Sequence, residues 1–107
     1  MRRGDLYRVR RPGGDAKQSR VFAVVSRQAL IDSRFSTVVC APVYSLRHGL
    51  ATQVDVGTGE GLKHESSLQC DALVSLSKSS LSDFVSTLAP AKLRALDEAL
   101  RVALALD

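Results

Sequence analysis

Ser19-Arg20-Val21-Phe22-Ala23-Val24-Val25-Ser26 is a short apolar run with an arginine at its mouth. Five successive apolar residues, three of them valine, predict a strand buried within a sheet. Arg20 stands where rigid backbone holds a guanidinium that still reaches solvent. A permanently charged group with five donors in such a place suits recognition of a phosphate. Upstream, Arg3-Gly4-Asp5-Leu6-Tyr7 opens another strand. Leu6–Arg10 alternates, with Tyr7 and Val9 on one face and Leu6, Arg8 and Arg10 on the other, as a half-buried strand does. Between the two, Arg11–Ser19 contains Pro12-Gly13-Gly14-Asp15 and no apolar period, which predicts a basic, flexible loop.

Further along, Gln28–Asp32 suits a short helical turn. Thr37–Val43 is a second central strand rich in β-branched residues, with Pro42 near its end, where a missing N–H is tolerated. Leu46–Ala51 is a loop tipped by Arg47-His48-Gly49, Thr52–Val56 alternates again, and Gly57-Thr58-Gly59-Glu60-Gly61 turns the chain tightly. Ser67–Cys70 and Ala72–Leu76 read as short strands, or as one strand kinked at Asp71. Ser80-Leu81-Ser82-Asp83 has capping-box spacing for one helical turn, and Phe84–Leu88 suits a last strand. From Pro90 onward Leu93, Leu96, Leu100 and Leu104 recur at helical spacing, with Arg94–Glu98 and Asp97–Arg101 as i,i+4 pairs. The pattern predicts a mainly β protein with a C-terminal helix: a small, partly open barrel closed by that helix, one domain over residues 1–107.

Charge is divided unevenly. Residues 1–50 carry ten Lys/Arg against three Asp, a balance of +7, and residues 51–107 carry five against eight, a balance of −3. Nine of the ten early cations are arginine, so the basic half points to an anionic polymer as partner. No apolar run approaches the roughly 20 residues that span a bilayer, and no signal-peptide pattern follows Met1. A cytoplasmic protein with no membrane partner is expected. Cys40 and Cys70, 30 residues apart in apolar segments, read as reduced core thiols. His48 and His64 are isolated in loops, and no His/Cys/Asp cluster has ligand spacing, so neither a metal nor a cofactor is expected. The run Gly57–Gly61 lacks the βαβ context of a dinucleotide loop.

Arg20 at one strand start and Tyr44-Ser45 at the end of another could converge if the two strands are neighbours. Guanidinium and hydroxyl together could hold a phosphodiester and stabilise the charge that develops as a nucleophile attacks phosphorus. In RNA the adjacent 2′-OH supplies that nucleophile. The competing expectation is that Arg20 pairs with Asp5 or another carboxylate.

At these residues the chain resembles the MazF/PemK family of toxin endoribonucleases from type II toxin–antitoxin systems. Arg3-Gly4-Asp5-Leu6-Tyr7 looks like the family's opening strand, and Ser19–Ser26 like its Arg-Pro-x-x-Val-Val strand. Val39-Cys40-Ala41-Pro42-Val43-Tyr44-Ser45 resembles its Val-x-x-Pro-hydrophobic-Thr-Ser strand. Ser66–Asp71 with Ala72–Leu76 is similar to the later strand pair, and Leu88–Leu100 to the terminal helix. The resemblance covers nearly the whole chain. It implies an SH3-like barrel, a homodimer, metal-independent cleavage of single-stranded RNA leaving a cyclic phosphate, and neutralisation by an antitoxin with an acidic, partly disordered segment.

Carried over by position, Arg20 would be the catalytic phosphate-binding arginine, and the family's threonine falls on Tyr44, so that Tyr44 or Ser45 supplies the hydroxyl. Arg8, Arg10, Arg11, Lys17, Gln18, Ser19, Arg27, Arg47, His48, Ser66 and Asp71 would contact RNA. The sequence departs from the family at Val21, where a proline is usual, and at Ala72 and Val74, where glutamine and arginine are frequent. Two rival expectations are a non-enzymatic inhibitor on the same scaffold, similar to gyrase-poisoning toxins, and a nucleic-acid-binding barrel with a decayed catalytic constellation.

Overall fold

The computed structural model describes residues 1–10 and 18–107. Strand β1 (Asp5–Arg10) pairs antiparallel with β2 (Ser19–Val24), which pairs with β3 (Thr37–Tyr44) after a single turn of helix α1 (Gln28–Ile31). Strands β4 (Gln53–Val56), β5 (Ser66–Gln69), β6 (Val74–Ser77) and β7 (Asp83–Thr87) follow, and helix α2 (Pro90–Ala103) ends the fold. Most of the expected elements thus form within a residue or two of their expected bounds. The basic loop expected over 11–19 lies outside the described residues except for Gln18 and Ser19.

The sheet runs β4-β5-β3-β2-β1-β7, with β6 also on β3. Eight-residue β3 makes this possible by dividing one edge between two partners. Thr37–Cys40 pair with β6, whereas Val43 and Tyr44 pair with β5. The kink expected at Asp71 is a 3₁₀ turn over Cys70–Ala72 that carries the chain from β5 to β6. Two partners diverging from one strand curl the sheet into a half-barrel. At its other end β7 reaches the segment before β5, where Ser86 Oγ donates to the Glu60 carbonyl at 2.5 Å.

Alternation within the run Val21–Val25 explains its unbroken apolarity. Val21, Ala23 and Val25 face the interior of the half-barrel, where Leu6, Val43, Val54 and Leu68 pack. Phe22 and Val24 face outward, into a second cluster with Tyr7, Ile31, Val38 and Leu81. Strand β1 is accordingly buried on both faces at Leu6 and Tyr7, more than its alternation predicts. The half-buried pattern holds only from Arg8 onward, where Leu6's face leaves the core.

Helix α2 closes the interior. Pro90 begins it, Leu96 and Ala99 are buried against the sheet, and Leu93, Leu100 and Ala103 pack beside them. Burying one such leucine is worth about 1.5–3 kcal/mol. Leu104, expected on this face, lies past the last helical turn and is exposed; Ala103 takes its place. Asp97 ion-pairs with Arg3 at 2.7 Å and, among the described residues, not with Arg101. Arg3 also donates from Nε to the Val25 carbonyl at 3.0 Å, tying the start of the chain to β2 and α2. Gly4 packs beneath Leu93 with a φ of +94°, a conformation and a space that suit glycine.

The turn expected at Ser80–Asp83 forms earlier, as a 3₁₀ turn over Lys78–Ser80. Leu81 is drawn into the outer cluster, and Asp83 begins β7 opposite Arg8 instead of capping a helix. The thiols are reduced and buried. Cys40 belongs to the outer cluster and Cys70 to the interior one, so the sheet itself separates them. Burial pushes Cys40 up to about 12; burial, with the Asp71 carboxylate nearby, pushes Cys70 up to about 11. Among the described residues, no helix is long and apolar enough to cross a membrane.

Candidate functional site

At the open end of the half-barrel, the interior face of β1–β3 changes from apolar to polar. Register pairs Arg8 with Val21 and Arg10 with Ser19, and Val43 of β3 and Ser45 just past its end line the same cleft. Leu62, Lys63, His64 and Ser66 form the facing wall, and Asp83 lies at the β7 flank. The space between is a cleft of about 580 Å³. Among the described residues, its lining carries the cations of Arg8, Arg10, Arg20 and Lys63 against the carboxylate of Asp83. Such a surface attracts an extended anion.

Arg20 stands on the rim. Its NH1 donates to the Val43 carbonyl at 3.0 Å, and its Cζ lies 4.3 Å from the centroid of the Tyr44 ring. The Phe22–Pro42 pairing, continued by two residues, sets Arg20 opposite Tyr44. Cross-strand stacking therefore fixes the guanidinium plane, while donors remain for an incoming ligand. Among the described residues Arg20 ion-pairs with no carboxylate. Asp5, the partner considered for it, is buried and accepts from the Arg2 N–H at 2.8 Å and from Thr87 Oγ1 at 2.7 Å.

The facing wall is held by Arg47. Its Nε donates to the Ser66 carbonyl at 3.0 Å and its NH2 to the Val56 carbonyl at 2.9 Å. The carboxylates of Glu65 and Asp55 lie 3.4 and 3.6 Å away. Ser66 Oγ donates to the His64 carbonyl at 2.9 Å, and Ser67 Oγ to that of Leu46 at 2.5 Å. The segment between β4 and β5 is thus fastened through its own backbone.

Of the residues expected from the sequence, Arg8, Arg10, Ser19, Arg20, Ser45 and Ser66 line the cleft together. Tyr44 lies beside it as the stacking partner of Arg20. Arg47 is directed into its own chain. The His48 backbone N–H donates to Gln53 Oε1, Asp71 accepts from Thr52 Oγ1 at 2.6 Å, and Arg27 precedes α1; none of these lines the cleft. Gln18 is exposed ahead of β2 without lining the cleft, and Arg11 and Lys17 lie outside the described residues. Lys63, His64 and Asp83 were not singled out for this site. Only a loop-borne Lys-His pair after the glycine-rich turn could have hinted at the first two.

The family model described as PemK-like, MazF-like toxin of type II toxin–antitoxin system matches residues 2–104. No curated protein sequence matches the chain at a significant level. Among solved structures, the Mycobacterium tuberculosis toxin MazF-mt6 is 24% identical with a TM-score of 0.82, over 96% of this chain and 98% of that one. An endoribonuclease from a mycobacterial species is 25% identical with a TM-score of 0.80, over 99% and 92% of the two chains. A mycobacterial endoribonuclease in complex with its cognate antitoxin is 24% identical with a TM-score of 0.84, over 100% and 97%. These likenesses confirm the half-barrel closed by a terminal helix.

Proposed function

This chain belongs to the PemK-like, MazF-like toxins of type II toxin–antitoxin systems, and from that premise we propose that it cleaves single-stranded RNA by attack of a 2′-OH on the adjacent phosphate. The observation that carries the reading is the Arg20 guanidinium, clamped between the Val43 carbonyl and the Tyr44 ring at the rim of a cationic cleft. Arg20 holds two oxygens of the scissile phosphate and stabilises the additional charge of the phosphorane. Tyr44 acts through its ring, by orienting the guanidinium. Ser45, which lines the cleft just past the end of β3, is the hydroxyl that bonds the reacting ribose or phosphate. Arg8 and Arg10 hold the neighbouring backbone phosphates.

The active form is a homodimer in the cytoplasm, its two clefts combining into a longer groove. The antitoxin occupies that groove with an acidic segment, since a surface that attracts phosphates attracts carboxylates equally. RNA affinity should fall steeply with salt.

Purified protein incubated with a mixed-sequence single-stranded RNA, with and without chelator, tests the reaction. Internal cleavage in both, giving 5′-hydroxyl and cyclic-phosphate ends, is expected. Intact RNA, or cleavage lost to chelator and restored by magnesium, would overturn the mechanism.

A further inference from the structure

Cleavage by a 2′-OH requires two proton transfers: one away from the attacking oxygen and one onto the departing 5′-oxygen. Arg20 is permanently charged and performs neither. The Ser45 hydroxyl can orient a ribose, but it is a poor proton acceptor near neutral pH. Among the described residues of the cleft lining, an imidazole and a carboxylate suit these transfers. His64 projects from the facing wall, and Asp83 starts β7 on the flank. Imidazole is the side chain whose proton exchange falls in the physiological range. Asp83 calls for a role of its own, because a carboxylate in a phosphate-binding cleft otherwise only weakens binding.

Both residues are exposed to the cleft yet mounted on fixed backbone. The His64 carbonyl accepts from Ser66 Oγ, and Arg47 secures Ser66 in turn. Asp83 is set by antiparallel register opposite Arg8. The groups facing the pair are Arg8 and Arg10 of β1, Arg20 of β2, Ser45 of the β3 end, and neighbouring Lys63. Glu65 and Asp55, on the wall side, ion-pair with Arg47.

We infer that Asp83 is the general base and His64 the general acid of this cleft, an inference that rests on the ribonuclease reading above. As the 2′-oxygen bonds to phosphorus, its proton passes to the Asp83 carboxylate. As the P–O5′ bond breaks, its electron pair takes the proton of the His64 imidazolium. The products are a 2′,3′-cyclic phosphate and a 5′-hydroxyl. Nothing is oxidised or reduced, and solvent returns both side chains to their starting protonation.

The test is single-turnover cleavage of one RNA oligonucleotide across pH by the wild type, His64→Gln and Asp83→Asn. A second substrate carries sulfur in place of the scissile 5′-oxygen, a leaving group that needs no proton. The wild type should give a bell-shaped profile. On the oxygen substrate each variant should be slower by about 10²- to 10⁴-fold, the range for a lost acid or base. His64→Gln should lose the alkaline limb and Asp83→Asn the acidic one. The sulfur substrate should restore His64→Gln to the wild-type rate on that substrate, and leave Asp83→Asn slow. A merely structural role would respond to neither pH nor leaving group. Wild-type cleavage with either variant unimpaired, or sulfur rescue of both variants or of neither, overturns the assignment alone. A wild type that leaves both RNAs intact overturns the ribonuclease reading beneath it.

Discussion

The Arg20 guanidinium lies 4.3 Å from the centroid of the Tyr44 ring while its NH1 bonds the carbonyl of Val43, the residue immediately before that tyrosine. One strand therefore holds the cation twice, from its backbone and from an aromatic face. This fixes the planar fork at the cleft rim before any ligand arrives, which is the preorganisation that electrostatic stabilisation of a transition state requires.

Replacing Arg20 by lysine should preserve the fold and lower RNA cleavage by about 10²- to 10³-fold, the usual cost of a lost transition-state donor. Lysine keeps the charge but neither the fork nor the flat surface that stacks on Tyr44. Cleavage rates with circular dichroism as the folding control check this; a lysine variant of near wild-type rate would reduce Arg20 to general attraction.

The two candidate hydroxyls separate by substitution. Tyr44→Phe keeps the ring under Arg20 and should cleave at close to the wild-type rate, whereas Tyr44→Ala removes the stack and should be slow. Ser45→Ala should cripple cleavage with the stack intact. A crippled Tyr44→Phe beside an active Ser45→Ala would move the working hydroxyl to the tyrosine.

Gly4→Ala should destabilise the fold by about 1–3 kcal/mol, the cost of holding a non-glycine residue in such backbone geometry. Its φ is +94°, and an added Cβ would come within 2.5 Å of Leu93 Cδ2, displacing a leucine that packs on the interior cluster. Neighbouring bonds tie that backbone down: the Gly4 N–H donates to the Val24 carbonyl at 2.8 Å and its carbonyl accepts from Leu88 at 3.0 Å. Denaturant midpoints measure the effect; equal midpoints would show that the segment relaxes freely.

Alkaline pH should destabilise the protein through its thiols. Cys40 and Cys70 are raised from 9.0 to about 12 and about 11, so the folded state keeps protons that the unfolded chain gives up. Their contribution is complete below pH 9 and is lost as pH rises towards the folded values, by about 1.4 kcal/mol per pH unit for each thiol while it lasts. Unfolding curves of Cys40→Val should show a shallower decline than the wild type. Alkylation at pH 8 should require unfolding; rapid labelling of the native protein would contradict the burial.

The sequence discloses what repeats along the chain. The run Val21–Val25 and the helix from Pro90 carry their burial in an apolar period, and Arg20 is conspicuous as the cation beside such a run. Parity along the chain was equally readable: Val43 of β3 and Ser45 just past its end line the cleft, and Tyr44 between them lies beside it. The facing wall has no period. Lys63 and His64 reach the cleft because the sheet curls, a consequence of β3 dividing its edge between β5 and β6. Arg47 sits at an exposed loop tip in the sequence, and only the fold brings the carbonyls of Val56 and Ser66 to its guanidinium. Asp83 carries a capping pattern that the burial of Leu81 and pairing with Arg8 override.

Arg47 grips main-chain oxygens, and every amino acid provides one. The anchorage of the facing wall therefore survives replacement of the Lys63 and His64 side chains, His64 contributing its carbonyl alone. Floor and wall are separable: β2 and β3 keep the arginine and its aromatic seat, while an exposed wall side chain such as Lys63 can change without refolding the barrel. Descendants of such a chain could acquire new tastes in nucleotide sequence through this one short segment.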